Sequence, residues 1–247
     1  MKYAALLAFT LASIAAGSSV AQTEKHLENQ QLKFETPTQS MIGRSPMRLF
    51  KQYNWIDIAY VRSMGVKVEP ALPGLDDRAV YVGSGLALKI DDDQILHIFD
   101  QPEVMSEAGP IVHKLQAWLP GPRFYVVTVF CTECHMTYLI DARTGAVSDI
   151  GAPAILSSDN QLGLVYRPDM LSGDVGPFLI DFRSDPPVRI DVPPSPNCEN
   201  RNSQPMLMST PVWLDNSHVR FSGARQPGDE GAKQLLRIDS GVPKWEC

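Results

Sequence analysis

Four stretches of the 247-residue chain obey one punctuation. They read "DRAVYV…LHIFD" (Asp77 to Asp100), "PGPRFYVVTVF…YLID" (Pro120 to Asp141), "DNQLGLVYR…FLID" (Asp159 to Asp181) and "DNSHVRFSG…LLRID" (Asp215 to Asp239). Each opens on turn residues, runs as an apolar or alternating strand, breaks, and returns as a second strand ending in Asp. Segments with a period of two place their apolar side chains on one face of a sheet and cannot do so on a helix. A unit recurring with the same punctuation is one supersecondary element used repeatedly, each copy burying its face against the next. Such a chain is expected to fold as a pile of small antiparallel sheets.

After the terminal Asp comes a further turn and strand, as in "DARTGAVSDI" and "DFRSDPPVRIDV", and more loosely in "DSGVPKWEC". An Asp at a strand end can accept bonds from nearby amides, so Asp141, Asp181 and Asp239 are expected to cap turns. Asp100 and Asp141 lie 41 residues apart and Asp141 and Asp181 lie 40 apart; the last interval widens to 58 around the loop "PPSPNCENRNSQP". Units of about 40 residues with three or four strands have the size of β-propeller blades. "YLIDARTGAV" resembles the strand–turn–strand segment of bacterial quinoprotein-like or YVTN-like blades, over about residues 77–245. The resemblance implies an all-β fold, a small propeller or a propeller-like radial stack of four to five antiparallel sheets with few short helices.

The start reads "MKYAALLAFTLASIAAGSSVAQTEK", with Lys2 before an apolar run and Ser19-Val20-Ala21 as a small-x-small cleavage site. Residues 1–21 are therefore expected to be a signal peptide cut before Gln22, giving a periplasmic or secreted protein. Residues 22–46 read as a polar lead-in, and 47–247 as a single β-repeat domain. In that domain "SPMRLFKQYNWIDIAYV" suggests a short helix and then a strand from Trp55 to Val61. "PEVMSEAGPIVHKLQAWLPG" suggests a short helix between units. The formal net charge is −6, and −7 without the leader, which holds one Lys and no acid. Nucleic-acid binding needs basic surface, so a phosphate-backbone partner is not expected.

An exported chain normally holds its thiols oxidised. Of the three pairings open to four cysteines, Cys131–Cys134 with Cys198–Cys247 is favoured, the second clasping the C-terminus. The stretch Cys131-Thr132-Glu133-Cys134-His135 also has the spacing of c-type haem attachment. Its flanks, "FYVVTVF" and "MTYLID", are β-branched and aromatic, which favours a hairpin tip over a helix. A haem held by Cys131, Cys134 and His135 is the alternative reading. Zinc would need a second paired knuckle, and a thioredoxin-like pair a following helix; neither is present.

Gly83 and Gly85 lack the third glycine of a dinucleotide loop, because Leu88 stands there, and they read as a bent strand. Asp91-Asp92-Asp93 lacks calcium-loop spacing and reads as a hairpin tip. His26, His97, His113 and His218 stand isolated in sequence and read as filler. No cofactor or metal is expected. The expected function is non-catalytic binding of another protein, a basic one to match the acidic balance, as an immunity protein or an inhibitor of a basic toxin or cell-wall-degrading enzyme. The contact candidates are Asp91, Asp92, Asp93, Asp229, Glu230 and Trp55. The further alternative is a propeller-fold hydrolase or lyase.

Overall fold

In the computed structural model of the protein, the residues described are 30–35, 47–50, 57–91, 94–101, 109–132, 135–166, 176–193, 211–222 and 233–246. The chain opens with β1 (Gln30–Gln31) and β2 (Met47–Phe50), whose partners come later. Four antiparallel sheets then follow in chain order. Sheet 1 is a meander of β3 (Val68–Pro70), β4 (Ala79–Val82), β5 (Gly85–Ile90) and β6 (Gln94–Phe99). Sheet 2 comprises β7 (Val112–Leu119), β8 (Phe124–Phe130), β9 (His135–Asp141) and β10 (Val147–Asp149). Sheet 3 has β11 (Ala154–Leu156), β12 (Leu162–Val165), β13 (Phe178–Asp181) and β14 (Val188–Asp191). Sheet 4 has β15 (Val212–Trp213), β16 (His218–Ser222), β17 (Lys233–Asp239) and β18 (Val242–Glu246).

One backbone bond marks the repeat. The carbonyl just before the second strand accepts from an amide at the end of the third: Lys89 to Arg78, Ala142 to Arg123, Phe182 to Gln161 and Ile238 to Ser217, at 2.7, 2.9, 2.9 and 2.7 Å. The strand register corrects the expected alignment of the four aspartates. Asp141 and Asp181 are equivalent, opposite Phe124 and Leu162. Their place is held by Leu88 in sheet 1 and by Arg237 in sheet 4. Asp100 instead follows the fourth strand, and Asp239 lies two residues further on, before a two-residue turn at Ser240 and Gly241. Both of those turn residues have positive φ, 51° and 82°, as a primed hairpin turn requires. Asp before a turn is thus a mark of turn chemistry, not of a fixed position in the unit.

Neighbouring sheets pack face to face. Leu86, Leu88 and Ile98 of sheet 1 meet Tyr125, Val127 and Ile140 of sheet 2. Phe124, Val126 and Leu139 of sheet 2 meet Val165, Phe178 and Ile180 of sheet 3. Leu164, Leu179 and Ile190 meet Val219, Phe221 and Leu236 of sheet 4. Sheets 2 and 3 are covered on both faces, which is why β8 reads as the continuous run "FYVVTV", buried from Phe124 to Val129. The two ends of the pile differ. The far face of sheet 1 buries Val80, Ala87 and Ile95. The far face of sheet 4 exposes Val212, Arg237, Val242, Lys244 and Glu246. Among the described residues no apolar cluster joins sheet 4 to sheet 1.

Three local expectations are corrected. Residues 57–63 form the helix α1 (Asp57–Ser63), so the strand expected over Trp55 to Val61 is not formed there; Trp55 itself lies outside the described residues. The second half of "PEVMSEAGPIVHKLQAWLPG" is β7 rather than helix: a bulge after Leu115 switches its faces, so Leu115 packs toward sheet 1 and Leu119 toward sheet 3, each buried. The polar lead-in over 22–46 contributes β1, which pairs with β14, and Glu35, which bridges to Val147 of β10. With β2 on β6, the N-terminal segment runs backwards along the outer strands of sheets 3, 2 and 1.

Candidate functional site

At one end of the strands, acidic and basic side chains are consumed in holding the sheets together. Asp141 Oδ1 accepts from the Arg143 backbone amide at 2.8 Å and from Arg143 Nε at 2.9 Å. Asp181 and Arg183 repeat that clamp at 2.9 and 2.8 Å. Arg143 Nη2 then reaches Asp185 Oδ1 at 2.9 Å, tying sheet 2 to sheet 3. This pairing holds Asp185 below the usual carboxylate range and raises the guanidinium pKa, chiefly through Asp185 and then Asp141. Burial alone would raise Asp181, but the side chain and amide of Arg183 outweigh it, and the carboxyl is lowered. Asp91 belongs to the same system. Its carboxylate accepts from Arg123 Nη2 and its amide donates to Ala142 O at 2.8 Å. Asp91 is therefore an inter-sheet tie rather than a free acidic tip. Asp92, Asp93, Asp229 and Glu230 lie outside the described residues.

Behind Asp91, the Tyr125 hydroxyl donates to Lys89 O at 2.6 Å and accepts from Arg78 Nη1 at 3.1 Å. Burial pushes this phenol up to about 12, with Arg78 opposing. The Arg78 guanidinium also sits 4.5 Å over the Trp118 ring. All of these groups are satisfied by one another, as buried polar groups must be.

The opposite end is different. Phe130 ends β8, His135 begins β9, and the two are register partners, so Cys131 to Cys134 form the connection of a hairpin. Cys131 is disulfide-bonded and partly buried against the sheet 1–sheet 2 core. A haem thioether would have to use the sulfur that this disulfide holds. The other three cysteines lie outside the described residues. Gly109, at φ +75°, runs so close to the tip that a Cβ there would stand 1.9 Å from Thr132 Oγ1.

Val112, Phe130 and His135 form one row across β7, β8 and β9. Val112 and Phe130 are each 37% exposed. The His135 ring stacks on Phe130 with centroids 4.7 Å apart, and Lys114 Nζ stands 5.4 Å over the same ring. His135 has its pKa lowered by burial, which favours the neutral ring. The next row inward is Lys114, Thr128 and Thr137. There Thr128 Oγ1 donates to Gln116 Oε1 at 3.1 Å, Gln116 Nε2 donates to Ala154 O at 3.0 Å, and Ala154 N donates to Thr137 Oγ1 at 2.9 Å. Sheets 2 and 3 are thus joined by polar groups just below an exposed aromatic, aliphatic and cationic row. Sequence reading missed Val112, Lys114 and Phe130, because an apolar run gives no sign of which member stands clear of the next sheet.

Two of the histidines read as isolated, His113 and His218, have acidic partners. His113 is buried, and its Nδ1 and backbone amide both bond Asp100 Oδ1 at 2.9 Å. Thirteen residues separate the pair, hiding it from local motif search. Tyr81 approaches the same pocket, its hydroxyl accepting from Leu115 N at 3.2 Å. His97 lies on the far face of sheet 1, with its Nε2 buried and lacking a hydrogen-bond partner, beside Phe99 at 4.0 Å. His218 sits with Ser217 and Asp215, a Ser–His–Asp set that cannot act as a nucleophilic relay. Ser217 Oγ and the Asp215 carboxylate both approach the same ring nitrogen, Nδ1, at 3.0 and 2.9 Å. A relay needs them on opposite nitrogens. The set is a turn: the Ser217 amide bonds Asp215 Oδ1 at 2.7 Å and, with His218 and the Ser217 hydroxyl, lowers that carboxyl to about 2. His26 lies outside the described residues. Among the described residues no three His, Cys, Asp or Glu side chains converge as a metal site.

The chain matches no protein-family model, and no curated protein or solved structure is detectably similar to it. The likeness to propeller blades rests on the residues of the repeat alone.

Proposed function

We propose that this is an exported, non-catalytic binding protein that grips another protein through the β7–β8–β9 tip, with Phe130 as the anchor. The carrying observation is the row Val112–Phe130–His135, exposed at its apolar members and flanked by Lys114, on a two-sided buried sheet. Exposed aromatic side chains on a rigid frame suit protein recognition, since little entropy is lost when they dock. The charge of −6 favours a basic partner overall, and an immunity protein or an inhibitor of a basic toxin or cell-wall-degrading enzyme is the form that suits it. The tip contributes a local cation, so an anchor pocket on the partner would pair an apolar wall with an acidic rim.

On the same reading residues 1–21 are removed on export, Cys131 pairs with Cys134 to pin the tip, and Cys198 pairs with Cys247. The sheets are arranged radially, like propeller blades, in a stack left open at sheet 4. The single N-terminal segment touching three successive outer strands supports the radial arrangement. The charged far face of sheet 4 argues against closure onto sheet 1.

The test is capture from the native host envelope with the chain from residue 22 as bait, beside its Phe130→Asp variant. One stoichiometric protein held by the first and lost by the second is expected. Equal capture by both removes Phe130 from the contact, and a Soret band that survives denaturation of the purified protein overturns the reading in favour of haem.

A further inference from the structure

Residues 30–35 behave as a strand lent to sheets made much later. Gln30 and Gln31 pair with Arg189 and Val188 of β14. The Leu32 amide donates to Pro187 O at 3.3 Å, and Glu35 exchanges two backbone bonds with Val147 of β10, at 2.9 and 2.8 Å. Six residues therefore bridge the outer strands of sheets 2 and 3. Their side chains sort by alternation. Leu32 and Phe34 pack on the cluster between those sheets, with Phe34 5.2 Å from the Phe124 ring, while Gln31 and Lys33 are exposed. Twisted sheets stacked face to face diverge at their edges, and Leu32 and Phe34 fill that wedge.

We propose that this wedge is a strand-acceptor groove that takes residues 30–35 from a second copy of the chain as well as from its own, so that two copies can exchange N-terminal straps. The groove recognises main chain through β14 and Val147, and apolar side chains at alternate positions through Phe124 and its neighbours, the mode of β-strand addition. The acceptor strands are held in their own sheets by β13 and β9, so the groove exists without its occupant. The strap is held by few backbone bonds and is joined to β2 by residues 36–46, a length that can span about 35–40 Å when extended. An element so lightly held on a long connection is one that identical protomers can trade. The second copy is the fitting occupant because it carries the sequence that the groove already fits.

The experiment uses the chain from residue 22 with a protease site placed within 36–46, folded and then cut. A fluorescent peptide of sequence QQLKFE should enter the cut protein saturably and co-elute with it, and its Phe34→Asp version should bind at least tenfold more weakly. Two differently tagged uncut chains, mixed at high concentration, should give mixed dimers that disappear when both carry Phe34→Asp. A cut protein with unchanged circular dichroism that takes up no peptide, or takes both peptides equally, overturns the proposal. Where cutting unfolds the protein, the mixed-dimer measurement decides alone, and its failure at the highest soluble concentration overturns the proposal.

Discussion

Arg143 shows how much one side chain can do in this architecture. Its guanidinium closes the turn after β9 on Asp141 and reaches across to Asp185, so two sheets share one cation. Charge-assisted, forked bonds are the stronger kind, but both partners here are part-exposed and screened. Arg143→Ala should lower stability by about 1–2 kcal/mol in urea denaturation, and Arg143→Lys should recover only part of that, because an ammonium cannot fork. His97 gives a pH effect of known sign. Burial lowers its pKa, with Asp100 acting in the opposite direction, so the unfolded chain binds the proton more tightly. Its stability contribution is complete above the ordinary histidine value of about 6.5 and declines as pH falls below it toward the folded value. Melting temperature should fall on acidification through that window, and His97→Leu should flatten the slope, with His135, which burial also lowers, acting in the same direction. Neither role is visible in sequence: "DARTG" announces a turn but not Asp185 of the next sheet, and His97 looks like any alternating strand residue.

Among elements, sheet 4 is the one with most at stake in single bonds. Among the described residues it packs on one face only, and it is pinned to sheet 3 at both edges by indole N–H groups. Trp213 Nε1 on β15 donates to Ile155 O at 2.8 Å, and Trp245 Nε1 on β18 donates to Pro193 O at 2.7 Å. Trp245→Phe keeps most of the apolar contact and removes the donor, leaving a carbonyl unsatisfied; a loss of about 1 kcal/mol is expected. Trp213→Phe should cost a similar amount, and the two should add, since they sit on opposite edges of the sheet. The strands themselves were legible. Period-two patterns and continuous apolar runs gave β4, β6, β8, β9, β12, β13, β16 and β17, because strand identity is local; β5, read with β4 as one bent strand, is instead its antiparallel partner. Short edge strands such as β1 and β15 were not legible, since two residues carry no period and take their state from a distant partner. The helix at 57–63 was masked by "WIDIAYV", whose β-branched and aromatic residues favour strand on composition.

For the whole molecule, the order of the sheets follows the order of the repeat, so the pile was readable from punctuation alone. The candidate site was less so. The hairpin position of the Cys131 turn follows from its flanks, whereas the exposed row beside it depends on where sheet 3 stops covering sheet 2, a property of packing between units. Of the acidic residues chosen for their charge, Asp91 is paired in place with Arg123, a partner 32 residues away that charge in sequence cannot show. The strap has a consequence for biosynthesis. Gln30 leaves the ribosome early, yet it cannot meet Arg189 until the strands of the first three sheets have been made. An early segment must wait for a late one, so a nascent chain stalled short of β14 must carry bare outer strand edges, and release from whatever shields them has to wait for the closing residues of sheet 3.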